Sequence, residues 1–173
     1  MAPRVRPALR VVEKALGPED VYRDYSGYVA ALAYRILGRD AEVEDVVQDV
    51  FLAAVSGLHR LRDPGALKGW LASATVNVAS RRLRRRKLLS VFGLDTPSDE
   101  EVSAPGANPE EKALLSQVYF ALDELPVNDR IAWVLRHVEG ESLERVAELC
   151  GCSLATAKRR ITAAQEEIER VTR

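Results

Sequence analysis

The chain has 173 residues, with 25 Lys and Arg against 26 Asp and Glu and a formal net charge of -1. That length suits one ordinary domain or two small ones, and the charge balance excludes nucleic-acid binding through a global basic field, though a local basic face still acts within about 8–10 Å. No apolar run approaches the ~20 residues of a membrane span or forms a signal peptide, so the chain is expected to stay in the cytoplasm.

Residues 1–17 read as a floppy tail carrying Arg4, Arg6 and Arg10. Pro18 suits the first turn of a helix, because its fixed φ and missing N–H cost nothing there. That helix is expected to run to about Leu37, with Val21, Tyr25, Tyr28, Val29, Leu32 and Ile36 on or near one face, and to stop at Gly38. Asp40 is placed to cap the next helix, and Glu42 and Glu44 suit its positive end. Its buried side is Val43, Val46, Val47, Val50, Phe51, Ala54 and Leu58. A loop follows from about Leu58 to Asp63. Asp63-Pro64 then gives a cap and a first-position proline, opening a third helix through Trp70 to about Leu88. Leu67, Leu71, Ala74 and Val78 supply its inner stripe.

Residues 89–108 break the pattern with Gly93, Pro97, Pro105 and Gly106 among Ser98, Asp99, Glu100 and Glu101. A span this long without structure reads as an interdomain linker. Asn108-Pro109-Glu110-Glu111 opens a second unit, 109–173, with Leu114, Leu115, Val118, Ala121, Leu122 and Leu125 as an apolar face. Pro126 starts another helix, with Ile131, Val134 and Leu135 inward. Ser142 caps a short helix ending near Cys150, Gly151 turns the chain, and Ser153 caps the last helix. Helical spacing dominates, and Val/Ile alternation bounded by tight turns is absent. The expected fold is therefore all-α: two small helical domains, 18–88 and 109–173, joined by a flexible linker, the second a helix-turn-helix.

On the last helix, Leu154, Ala157, Ile161, Ala164, Ile168 and Val171 form a stripe expected to pack on Leu143, Val146, Ala147 and Leu149. Ala155, Lys158, Arg159, Thr162 and Ala163 are left pointing outward, where they reach major-groove base edges, while Ser153 and Thr156 bond phosphates. A lone basic cluster is usually a solvated face. Here it sits just inside a capped second helix after a glycine turn, which favours DNA.

The third helix carries Arg81, Arg82, Arg84, Arg85, Arg86 and Lys87, with no acid from Leu67 to Leu94. A helix C-terminus favours one or two cations. The whole run is better accounted for as a phosphate-tracking surface. The second helix has the opposite character: Asp45, Gln48, Asp49 and Leu52 share a face turned away from the valines. Acids repel DNA, so this face suits a basic protein partner.

These residues resemble a known family. Glu44-Asp45-Val46-Val47-Gln48-Asp49-Val50-Phe51 resembles the polymerase-binding helix of extracytoplasmic-function sigma factors, of the sigma-70 type. Trp70-Leu71, Asn77 and the arginine run resemble the adjacent promoter-melting helix. Leu122, Leu125-Pro126, Arg130, Leu135, Gly140, Val146-Ala147, Gly151-Cys152-Ser153 and Thr156-Ala157-Lys158 resemble the family's C-terminal domain. The match runs in order from Val21 to Val171.

The resemblance implies that Asp45, Gln48, Asp49 and Leu52 dock on core RNA polymerase. It implies that the loop Leu58 to Asp63, with His59, Arg60 and Arg62 and with Asn77 below it, holds a flipped base of the −10 promoter element. Arg81, Arg82, Arg85 and Arg86 would guide the nearby strands. Ser153, Ala155, Thr156, Lys158, Arg159 and Thr162 would engage the −35 element. An anti-sigma factor is implied as a further partner. The chain departs from the family at Ala74-Thr75, and at Ala163 and Gln165, where basic residues are common.

Two other readings compete. A stand-alone helix-turn-helix regulator explains the last two helices but gives the arginine run, Asn77 and the acidic face no task. An enzyme lacks support: no nucleophile elbow, phosphate loop or dinucleotide motif occurs, and the two histidines, His59 and His137, stand apart. Cys150 and Cys152 with His137 fall short of the four ligands of a structural zinc site. One residue separates the two cysteines, so an unstrained bridge is not expected. No cofactor or metal is expected, and Cys150 is assigned to packing inside the helix-turn-helix.

Overall fold

A computed structural model describes residues 17–38, 41–57, 63–94 and 108–172. The described residues form seven α-helices and no strand. The N-terminal half holds α1 (Pro18–Leu37), α2 (Val43–Gly57) and α3 (Leu67–Val91), the last entered through a 3-10 turn at Pro64–Ala66. The C-terminal half holds α4 (Pro109–Glu124), α5 (Val127–His137), α6 (Leu143–Leu149) and α7 (Leu154–Thr172). The expected caps at Asp40 and the loop residues Leu58 to Arg62 lie outside the described residues, as do 95–107 of the expected linker.

Local chemistry sets most boundaries. Pro18 is the first residue of α1, and Gly38 ends it at φ 71°, with its N–H donating to the Tyr34 carbonyl. Asn108 and Glu111 form a reciprocal capping box at α4, each side chain accepting from the other's backbone N–H. The Asp63 carboxylate accepts from the Gly65 N–H at 2.8 Å, which opens the 3-10 turn.

α3 continues to Val91, past the end expected near Leu88, because no breaker occurs before Gly93. There the helix closes with paired bonds from Leu94 N–H to Leu89 O and from Gly93 N–H to Ser90 O. This is the left-handed glycine termination that satisfies the last carbonyls. The last turns of α3 carry Leu88 and Val91 exposed, followed by Phe92 and Leu94.

Val29, Leu32, Ile36, Val46, Val50 and Leu71 are buried at the centre of the first three helices. Thr75, one of the family departures, is fully buried and donates its hydroxyl to the Leu71 carbonyl at 2.8 Å. Leu122, Ile131, Val134, Leu135, Val146, Ala157 and Ala164 centre the second half. The buried apolar residues of both halves join in one cluster. α5 packs on α1 and α3, and α6 touches α3.

Two expected core positions are corrected. Leu154 is 46% exposed. It is the first residue of α7, and a helical side chain leans toward its N-terminus, so it overhangs the turn instead of reaching α6. Leu114 is 54% exposed. The α4 stripe is covered only in its last turns, where Ala121 and Leu122 are the buried residues.

Candidate protein and nucleic-acid interfaces

The arginine run of α3 is divided among three tasks by helical pitch. Arg82 and Arg86, four residues apart, face the N-terminal bundle. Arg82 donates to Asp45 at 2.9 Å and to Asp49 at 3.0 Å. Burial works against its charge, but the bonds to Asp49 and Asp45 outweigh it and hold its pKa above the ordinary value. Arg86 donates to Glu42 at 2.6 Å and to the Leu37 carbonyl at 3.2 Å. Arg84 and Lys87 lean to the other half: Arg84 donates to Asn128 at 3.0 Å, and Lys87 to the backbone carbonyls of Glu124 and Leu125.

Arg81 and Arg85 are left exposed, with no partner among the described residues, and Asn77 sits exposed one turn before Arg81 on the same face. Of the four arginines expected on the strands, two therefore face outward and two are engaged inside the chain. Nothing local in the sequence separates them, because the partners of Arg82 and Arg86 lie 33 to 49 residues away.

On α2, Gln48 is exposed and Leu52 is 68% exposed. With Pro18, Tyr22, Phe51 and Val55 they line an open, mostly apolar groove between α1 and α2. The Tyr22 and Phe51 rings meet edge to face at 4.9 Å. Asp45 and Asp49 belong to the same helix, so this surface is apolar on one side and acidic on the other. Tyr22, Phe51 and Val55 were not singled out as site residues in the sequence, where Phe51 reads as core. Trp70 is half-buried against the core, and Gly57 leaves room for its ring: a Cβ there would lie 3.0 Å from Trp70.

The helix-turn-helix is built as its punctuation implies. The Ser142 hydroxyl accepts from the Arg145 N–H at 3.1 Å to open α6. Gly151, at φ 58°, closes α6 with Gly151 N–H to Glu148 O and Cys152 N–H to Ala147 O. The Ser153 hydroxyl accepts from the Thr156 N–H at 3.2 Å and also pairs with the Thr156 hydroxyl. Ser153, Ala155, Lys158, Arg159, Thr162 and Ala163 are exposed, and Thr156 is half-buried. Arg160 points elsewhere, 3.8 Å from Asp129. Gln165, where the family often carries a base, accepts from the Trp133 indole N–H at 2.7 Å. Cys150 is packed against the core and burial pushes its thiol up to about 11. Both cysteines are free thiols.

One polar residue of consequence has no outward face. Arg130 is 2% exposed. Its Nε donates to Ile36 O at 2.8 Å, its Nη2 to Leu37 O at 2.8 Å, and its Nη1 to Asp123. Burial pushes its pKa down, against the pull of Asp123. The sequence holds a sign of this: Arg130 falls three residues after Val127 and four before Val134, on the apolar stripe of α5, where a charge must be paired.

Among the described residues, no helix is long and apolar enough to cross a membrane. The sigma-70 region 2 model matches residues 21–88, and the sigma-70 region 4 model matches residues 115–167. The chain is 31% identical over 155 residues to the ECF RNA polymerase sigma factor SigE of Mycolicibacterium smegmatis, covering 87% of this chain and 59% of that protein. It is 32% identical over 155 residues to the ECF RNA polymerase sigma-E factor of Escherichia coli K12, covering 84% of this chain and 81% of that one. It therefore spans most of the length of the latter but less than two thirds of the former. The fold is similar to that of the sigma factor RpoE solved in complex with the anti-sigma factor NepR from Bartonella quintana, with TM-score 0.67 at 23% identity over 88% of this chain and 94% of that one. It is also similar to CnrH, solved with the cytosolic domain of CnrY, with TM-score 0.60 at 24% identity over 88% of this chain and 85% of that one.

Proposed function

Because this chain belongs to the extracytoplasmic-function sigma factors of the sigma-70 family, we propose how its surfaces divide the work of recognising and opening a promoter. The protein is a promoter-recognising sigma factor. The α2 surface of Asp45, Gln48, Asp49 and Leu52, extended by Tyr22 and Val55, docks on core RNA polymerase. A basic, partly apolar segment of the polymerase would complement it, since the exposed acids Asp45 and Asp49 share α2 with the Gln48, Leu52 and Val55 side of an apolar groove. Asn77, Arg81 and Arg85 face the opened −10 strand. His59, Arg60 and Arg62, which lie outside the described residues, would receive an extruded base. Lys158, Arg159 and Thr162 read the −35 element in the major groove, with Ser153, Ala155 and Thr156 at its phosphates and base edges.

The observation that carries this division is the exposed Asn77–Arg81–Arg85 face, whose two arginines have no partner among the described residues, while every other cation of the run from Arg81 to Lys87 is engaged inside the chain. A face of uncompensated guanidinium groups attracts a phosphate backbone. Unstacking a base costs a few kcal/mol, and a protein that binds the opened strand better than the duplex offsets that cost. The protein performs no catalytic step in this reading; the polymerase does the chemistry. The reading also places the protein in the cytoplasm and gives it an anti-sigma factor as a controlling partner.

The test is run-off transcription with core polymerase on a promoter library. Initiation only when both proteins are present is expected. Tight, sequence-specific DNA binding by the isolated chain points instead to a stand-alone regulator.

A further inference from the structure

Two open grooves that share Tyr22 follow the valley between α1 and α2. The first, of about 550 Å³, carries the exposed apolar side chains Tyr22, Leu52 and Val55. The second, of about 460 Å³, is kept open by the small residues Ser26, Gly27 and Ala30 of α1. A Cβ on Gly27 would meet nothing within 4 Å, so the valley is bare there. No cation lines either groove. Glu19 in the first and Glu44 in the second are exposed and have no partner among the described residues. An apolar surface rimmed by charge marks a place where another segment docks.

The segment joined to the end of this valley has the complementary character. Residues 1–16 lie outside the described residues and lead into α1 through Gly17 and Pro18, and Pro18 is itself on the groove wall. In the sequence, Val5, Leu9, Val12 and Leu16 recur at helical spacing, and Arg4, Arg6, Arg10 and Lys14 stand against Glu13 alone. Pro7 suits the first turn of a helix. Gly17 is extended, at φ −71° and ψ 161°, as a residue before proline prefers. The chain therefore changes direction there and does not prolong α1. Pro18 and Ala30 stand twelve residues apart on α1, about 18 Å at ~1.5 Å per residue. A helix over 7–14 would span about 12 Å and leave residues 15–17 for the turn, within the ~2–5 residues that join antiparallel helices.

We infer that the N-terminal segment folds back as a short amphipathic helix into the α1–α2 valley, setting Leu9 and Val12 against Tyr22, Leu52 and Val55 and its cations beside Glu19 and Glu44. So short a helix is marginal in isolation and forms on the surface it buries. The tether keeps it at an effective concentration on the order of millimolar, so a weak contact fills the valley. The docking stands apart from the sigma-factor reading, but its consequence rests on that reading. The segment covers Leu52 and Val55, so core polymerase must displace it. It offers the same basic, partly apolar chemistry that complements this face in the polymerase.

The experiment uses the full chain. Leu52→Gln with Val55→Gln leaves the segment's own sequence intact and alters only exposed positions, so the circular-dichroism spectrum should match wild type. Limited trypsin cleavage after Arg10 and Lys14 is timed in both proteins. Cleavage reports the undocked population, and removing two apolar contacts is expected to speed it about tenfold. Equal rates overturn the docking. Protection of the wild type that fades on dilution assigns the valley to the segment of a second copy and overturns the fold-back. If the groove variant loses helicity, Glu19→Gln with Glu44→Gln decides by the same cleavage. In parallel, Leu9→Ser with Val12→Ser is expected to bind core polymerase about tenfold more tightly than wild type, because the valley is then always open. Wild-type affinity in that variant overturns the competition. Failure of both proteins to bind core polymerase sinks the sigma-factor reading and leaves the cleavage result standing.

Discussion

Arg82 of α3 holds the carboxylate of Asp49 of α2 at 3.0 Å. The acidic face of α2 and the basic helix α3 are thus stitched together within one bundle. Under the proposed function, the polymerase-docking acids and the strand-facing helix would be coupled through a single guanidinium.

Replacing both acids by lysine, Asp45→Lys with Asp49→Lys, is expected to abolish association with core polymerase. Their side chains are 59% and 46% exposed. Such exposed ion pairs contribute only about 0–1 kcal/mol each. The circular-dichroism spectrum should therefore be unchanged. Normal co-purification with the core enzyme removes the docking assignment.

Two pairs of arginine substitutions separate function from fold. Arg81→Gln with Arg85→Gln should leave thermal stability unchanged and flatten the salt dependence of open-strand binding by about 1.4 in log–log slope. Arg86→Gln should lower stability by about 1–3 kcal/mol, because it strips hydrogen bonds from Glu42 and Leu37. Thermal denaturation beside oligonucleotide titration distinguishes them. Equal stability loss in both would show that the outward face is structural.

Gly38→Ala combines a left-handed φ of 71° with a Cβ pressed against Tyr119. A loss of about 1–3 kcal/mol is expected, read as a lower urea midpoint. An alanine variant as stable as wild type would mean that α1 ends differently in solution.

Lys158→Ala and Arg159→Ala should relax promoter choice without loosening the helix-turn-helix. A good bidentate base contact discriminates by about 1–3 kcal/mol. Ser153→Ala should instead cost about 1 kcal/mol of stability through the lost cap at Thr156. Transcription from a randomised −35 library measures the first effect, and thermal melting the second. Unaltered promoter preference in both basic variants would exclude them from base reading.

Burial pushes the Cys150 thiol from 9.0 up to about 11. The folded chain thus holds its proton at pH values where the unfolded chain has released it. The stabilisation is complete below about pH 9 and is lost as pH rises toward 11. Wild type should lose stability over that window more steeply than Cys150→Ala. Cys150 should also alkylate slowly near neutral pH, since the thiolate is the nucleophile. Parallel stability curves for the two proteins would contradict the burial.

The sequence by itself determined where the helices begin and turn, because those signals act over a few residues. Pro18, the Asn108–Glu111 box, Ser142, Gly151 and Ser153 each satisfy or spare backbone groups within one turn of themselves. The outward set on α7 was legible for the same reason: its stripe repeats at helical spacing and leaves Lys158 and Arg159 outside. The fate of the arginine run was not legible. Six cations within seven positions surround the helix axis, and only the packing of α3 against α2, α1 and α5 decides which of them meet carboxylates, carbonyls or water. Arg130 makes the same point from the other side. Its place on an apolar stripe announces a buried charge, but its partners at Ile36 and Leu37 lie 94 and 93 residues away. Only the tertiary structure brings a helix's bare C-terminal carbonyls to it.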